Sequence, residues 1–152
     1  MLSVALMLVT ASTWADNAAL PVSLKNYKGK VLYIDFWASW CGPCAQSFPW
    51  LNRMQAKFGN RLTVVAINVD TDPAAAKAFL NRHPAAFDVV YDPAGELAEQ
   101  YHIDGMPSAV ILDADAHLIH RHSGFQDART GDYETAILNA INISTPSTGN
   151  AP

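Results

Sequence analysis

Val31-Leu32-Tyr33-Ile34-Asp35-Phe36-Trp37-Ala38-Ser39-Trp40-Cys41-Gly42-Pro43-Cys44 is the stretch that decides the architecture of this chain. Val31 to Trp37 is a nearly continuous apolar run, the pattern of a strand buried on both faces, with Asp35 the one acid out of place. The following residues predict a helix over Gly42 to Phe58, because Phe48, Leu51 and Phe58 fit one apolar stripe. Pro49 falls inside that helix and should kink it, since its ring removes a backbone hydrogen bond. The two cysteines therefore sit where a buried strand hands over to a helix.

Outward from this segment the strand and helix signals alternate. Leu62 to Val69 reads as a second buried strand. Asp72-Pro73 is an N-cap followed by a proline in the first helical turn, and that helix ends by His83 because Pro84 cannot continue it. Phe87 to Tyr91 is a third strand of the core sheet. Asp92-Pro93 repeats the cap signal and predicts a short helix through about Tyr101. Pro107 to Leu112 and Leu118 to Ser123 read as antiparallel neighbours joined by the turn Asp113-Ala114-Asp115-Ala116. A last helix begins near Asp132, with Tyr133, Ala136, Ile137, Ala140 and Ile141 at helical spacing. The order β-α-β-α-β-α-β-β-α argues an α/β domain with helices on both faces of a mixed sheet.

The 152 residues suit one domain, and half of them are apolar, enough for a sizeable core. The net charge is −4 with no basic stripe, which argues against nucleic acid as a partner. No run reaches the about 18 consecutive apolar residues of a membrane-spanning helix. Residues 1–15 carry no charge, and their apolar part, Leu2 to Val9, has the short length of a signal-peptide core. Thr13-Trp14-Ala15 places small residues at the cleavage positions, so cleavage is expected after Ala15. No Lys or Arg precedes the apolar run, and an uncleaved amphipathic or anchoring segment is the alternative. The expected organisation is a signal peptide over 1–15, a domain over 16–143 and a disordered tail over 144–152, where apolar side chains almost vanish.

Cys41 and Cys44 are the only cysteines. Two intervening residues at a helix start let the sulfurs close a small ring. Cys41 would stand at the helix N-terminus, where unpaired N–H groups and the helix dipole favour a thiolate, the species that attacks disulfides. Cys44, one turn in and less exposed, would resolve the mixed disulfide. A purely structural disulfide is the weaker reading, because so small a loop constrains the unfolded chain little and a domain of this size needs none. Asp35, costly to bury ionised, should have a raised pKa. It is expected beneath the cysteines, relaying a proton to and from Cys44; the alternative is an acid satisfied by backbone or water. Pro107 begins a strand after Met106, and a cis bond there would expose backbone groups to an incoming peptide. An ordinary trans edge proline is the other reading.

His117, His120 and His122 cluster on the expected hairpin and could with the cysteines hold zinc or copper. His120 and His122 share one strand face and His117 takes the other, so they are read as solvated surface histidines. Covalent haem needs His after the second cysteine, and position 45 is Ala. No metal and no bound cofactor are expected.

The segment Asp35 to Cys44 closely resembles the thioredoxin active-site segment, Pro49 its helix-kinking proline, and Met106-Pro107 its cis-proline position. The connection from Cys44 to Pro107 is longer than in a minimal thioredoxin and holds an extra strand–helix unit. With the export signal, the pattern resembles the TlpA/ResA/DsbE-like branch of periplasmic thiol–disulfide oxidoreductases. The resemblance implies a thioredoxin-like three-layer α/β/α fold with a central mixed sheet. It implies Cys41 as nucleophile, Cys44 as resolving cysteine, and substrate contacts at Trp40, Gly42, Pro43, Met106 and Pro107. It also implies a protein-disulfide reductase acting on exported proteins, fed by a membrane thiol reductase of the DsbD/CcdA type, with apocytochrome c a common substrate in cytochrome c maturation; a monomer is the default expectation, which the sequence itself does not specify. Members of this branch often carry Asn where this chain has Asp35, and some carry an acid in the region of Asp70 and Asp72. Thioredoxin, with a potential of about −270 mV, shares the Gly-Pro dipeptide, which points to a reductant. The alternatives are an oxidant or isomerase of the same fold, a copper metallochaperone, and a non-catalytic interaction module.

Overall fold

The computed structural model describes residues 20–145. The expected signal peptide and residues 146–152 of the expected tail lie outside the described residues. Strand β1, Leu32–Trp37, is buried at all six positions. Its apolar run has a simple cause: β1 is central in a five-stranded sheet of order β3-β2-β1-β4-β5. It pairs in parallel with β2, Thr63–Asn68, and antiparallel with β4, Ser108–Leu112. Strand β3, Asp88–Tyr91, joins the sheet as expected, parallel to β2, and as an edge strand it leaves Asp88 and Tyr91 exposed. Strand β5, Leu118–Ser123, forms the opposite edge, antiparallel to β4.

The four helices are α1, Gly42–Phe58, α2, Pro73–Arg82, α3, Glu96–Gln100, and α4, Thr130–Ser144. One face of the sheet presents Tyr33, Trp37, Val64, Ala66, Ala109 and Ile111 to α1, α2 and α4. The other face presents Leu32, Ile34, Phe36, Val65, Ile67 and Val110 to Leu24 of a 3-10 turn, Val22–Tyr27, and to Leu97 and Ala98 of α3. Alternation along β1 thus sends successive residues to opposite layers, completing three layers. The unit α2–β3 is the extra strand–helix pair expected between Cys44 and Pro107.

Asp72 caps α2 as the sequence predicts, its Oδ1 accepting from the Ala74 N–H at 2.9 Å. The repeated cap signal at Asp92-Pro93 is corrected. Helix α3 starts at Glu96, after Gly95 turns the backbone at φ +73°. Asp92 still caps it from a distance, accepting from the Leu97 and Ala98 N–H groups at 3.0 Å each. At the other end of the chain, Ser144 is helical and its Oγ accepts from the Ala114 N–H at 2.9 Å, tying α4 to the β4–β5 turn.

Candidate active site

Strands β1, β2 and β5 run one way and β4 the other. The C-terminal ends of the first three and the N-terminal end of β4 therefore share one end of the sheet. Cys41, Asp70, Pro107 and Gly124 all follow from that placement.

Beyond Trp37 the chain turns through Ala38 to Trp40, and the Cys41 N–H donates to the Ala38 carbonyl at 3.1 Å. Asp70 holds this turn. Its carboxylate accepts from the Ser39 N–H and Oγ, both at 2.8 Å, and from Asn68 Nδ2 at 2.7 Å. Sequence reasoning marked Asp70 only as an acid in a suggestive region. Its clue was an acid just past a buried strand, but Ser39, the residue whose turn it holds, lies 31 positions away.

Cys41 and Cys44 form a disulfide, S–S 2.07 Å, with Cα atoms 5.4 Å apart. Cys41 occupies the N-cap of α1 in an extended conformation. The first four N–H positions of a helix have no intrahelical acceptor. Here the Cys41 N–H is taken by Ala38 and Pro43 has none, leaving those of Gly42 and Cys44. The first turn carries no acidic side chain to satisfy them. Whatever negative charge forms on Cys41 faces this positive helix end without a competitor. Exposure is graded along the segment: Trp40 is 72 % exposed, Cys41 5 % and Cys44 0 %.

Asp35 points to the same face as Tyr33 and Trp37, the face on which Cys41 and Cys44 pack. Its direct cross-strand neighbours are both small, Ala66 on β2 and Ala109 on β4. It is buried, and its Oδ2 has no hydrogen-bond partner among the described residues. Burial pushes its pKa well above the usual carboxylate range.

The Met106–Pro107 bond is cis. The Pro107 carbonyl accepts from the Gly124 N–H at 2.7 Å, and Ser108 Oγ donates to the Gly105 carbonyl at 2.7 Å. These bonds tie down the chain on either side of Met106.

The reading of His122 as a solvated histidine is corrected. It is buried on β5, 2.7 Å from the Tyr33 hydroxyl through Nε2 and 3.0 Å from the Gly124 carbonyl through Nδ1. His117 is largely exposed and leans on Asp113. Among the described residues no three His, Cys, Asp or Glu side chains gather as a metal site.

A family model described as Redoxin matches residues 9–137. The chain belongs to the Redoxin family. Among similar proteins, this Redoxin is 29 % identical over 112 residues to thiol-disulfide oxidoreductase ResA of Bacillus thuringiensis subsp. konkukian, covering 73 % of this chain and 65 % of the relative. It thus spans just under two thirds of that relative's length. It is similar to the solved structure of a Chlorobium tepidum protein designated thiol:disulfide interchange protein DsbE, with 44 % identity, TM-score 0.75 and coverage of 78 % of this chain and 84 % of that one. It also resembles the exposed lipoprotein thioredoxin of Streptococcus pneumoniae at 28 % identity and TM-score 0.66, covering 79 % of this chain and 89 % of that one. The thioredoxin-like fold expected of this Redoxin is borne out.

Proposed function

We propose that this Redoxin is an exported thiol–disulfide oxidoreductase that reduces disulfides in particular exported proteins. The observation that carries the reading is the Cys41–Cys44 pair at the unfilled N-terminus of α1, beside an exposed tryptophan. In the reduced protein, the Cys41 thiolate attacks one sulfur of a substrate disulfide. The other substrate sulfur leaves as a thiolate and takes a proton from solvent. Cys44 then gives its proton to the Asp35 carboxylate and attacks the Cys41 sulfur, releasing the second substrate thiolate and closing Cys41–Cys44. Trp40, Gly42, Pro43, Met106 and Pro107 form the surface on which the substrate chain lies. A membrane thiol reductase of the DsbD/CcdA type returns the two electrons. Apocytochrome c, before haem attachment, fits as a substrate class.

Export is supported by the uncharged apolar segment at residues 1–15 and by the likeness to an exposed lipoprotein thioredoxin. The reducing direction is supported by the Gly-Pro dipeptide. Titration of the dithiol against glutathione tests it. We expect a potential near that of thioredoxin, about −270 mV, whereas a value above about −180 mV would make the protein an oxidant or isomerase.

A further inference from the structure

We infer that His122 is a positioning residue for the Pro107 segment, its ring joining Tyr33 of β1 to Gly124, which in turn holds the Pro107 carbonyl. The inference rests on the proposed role of Pro107 as a wall of the substrate surface.

Cross-strand register supplies the frame. Asp35 pairs with Ala109, and Ala109 pairs with His122, so the three occupy one row on one face of the sheet. Ala109 in the middle of the row is small. Tyr33, two residues before Asp35 on the same face, reaches across to place its hydroxyl 2.7 Å from His122 Nε2. On the other side of the ring, Nδ1 lies 3.0 Å from the Gly124 carbonyl. A carbonyl only accepts, so Nδ1 carries the proton. In the neutral ring Nε2 is then an acceptor, and the Tyr33 hydroxyl donates to it. Tyr133 of α4 stacks on the imidazole, centroids 4.0 Å apart and planes 13° from parallel, so the ring cannot turn without displacing that contact.

The groups facing His122 are Tyr33, Tyr133, His120 and Arg129. None is a carboxylate that would hold the ring charged. Burial, chiefly, lowers the His122 pKa to about 4, so Nε2 remains an acceptor at neutral pH. Gly124 completes the link. Its N–H donates to the Pro107 carbonyl at 2.7 Å, and its φ of +75° is one that side-chain-bearing residues rarely adopt. Tyr33, His122, Gly124 and Pro107 thus form one continuous hydrogen-bonded path from the central strand to the cis-proline loop, at the same end of the sheet as the cysteines.

Two substitutions separate the bonds of the ring. His122→Asn places an amide donor near the position of Nδ1 and keeps the hold on Gly124. His122→Gln places a carbonyl near the position of Nε2 and keeps Tyr33 but releases Gly124. Insulin serves as protein substrate, and 5,5′-dithiobis(2-nitrobenzoate), which has no peptide to lie against Pro107, as small disulfide. We expect His122→Gln to raise KM for insulin about fivefold, the size of one neutral hydrogen bond. Its kcat and its rate with the small disulfide should stay within about twofold of wild type, and His122→Asn should keep the wild-type KM. An unchanged KM in folded His122→Gln, parallel loss with both substrates, or failure of Asn to retain KM each overturns the inference. Pro107→Ala distinguishes the two levels. If it raises KM while His122→Gln does not, only the role of His122 falls; if it leaves KM unchanged, the substrate surface itself is misplaced and the inference falls with it. Should the variants not fold, nitrogen-15 spectra of the wild-type ring decide. A neutral ring protonated at Nδ1 from about pH 5.5 to 8 supports the inference, and a charged or Nε2-protonated ring overturns it.

Discussion

Cys44→Ser is expected to leave Cys41 covalently attached to substrate, as a mixed disulfide that survives non-reducing electrophoresis. Cys41 stands at the helix N-terminus next to exposed Trp40, while Cys44 is fully buried one turn further in. Only Cys41 can meet a partner's sulfur without unfolding the first turn of α1. Once the partner is attached, the intramolecular attack by Cys44 is the step that releases it. Serine at 44 is too weak a nucleophile to perform that step. Cys41→Ser should lower exchange roughly a thousandfold or more, because it removes the attacking sulfur itself. Trapping through Cys44 in the Cys41→Ser protein, at a yield matching the reverse experiment, would reverse the assignment of the two sulfurs.

Asp35→Asn should slow exchange near neutral pH by about a hundredfold, within the range for loss of a general acid–base group. The same change should stabilise the fold. Burial raises the Asp35 pKa well above its ordinary value of 3.8. A group raised in the folded state binds protons more tightly there than in the unfolded chain. Its favourable contribution is complete below the ordinary value and is lost as pH rises through the folded value. At neutral pH the wild type therefore bears the cost of a carboxylate forced toward ionisation between Ala66 and Ala109. Asparagine has no charge to desolvate, so its advantage should reach at least about 1 kcal/mol near neutrality and shrink toward pH 4. Denaturant midpoints across that range, with exchange rates from pH 6 to 9, provide the check. Superimposable profiles for the two proteins would remove Asp35 from both the proton path and the stability balance.

The features legible in the sequence are those set by local pattern. The run Leu32–Trp37 announces a central strand because both of its faces are covered. The cap and proline at Asp72-Pro73 announce α2 because the capping partner lies two residues away. The same reasoning placed the start of α3 too early, since Asp92 reaches its N–H partners across a turn that Gly95 makes. His122 could not be read as buried. Its hydroxyl partner lies 89 positions away and its stacking partner arrives on the last helix, so its environment exists only after the sheet and α4 assemble. Asp70 is similar: its serine partner precedes it by 31 positions, on another strand's exit. By contrast, the cysteine pair and the strand-to-helix junction that carries it are contiguous, and contiguous chemistry is what sequence displays best.

A decisive measurement is the rate at which iodoacetamide alkylates the reduced protein over a pH series, with mass spectrometry assigning the modified sulfur. Cys41 should react first, with a midpoint clearly below the about 8.5 of a free thiol, because the open end of α1 stabilises its anion. A Cys41 midpoint at or above that value, or preferential modification of Cys44, would contradict the account.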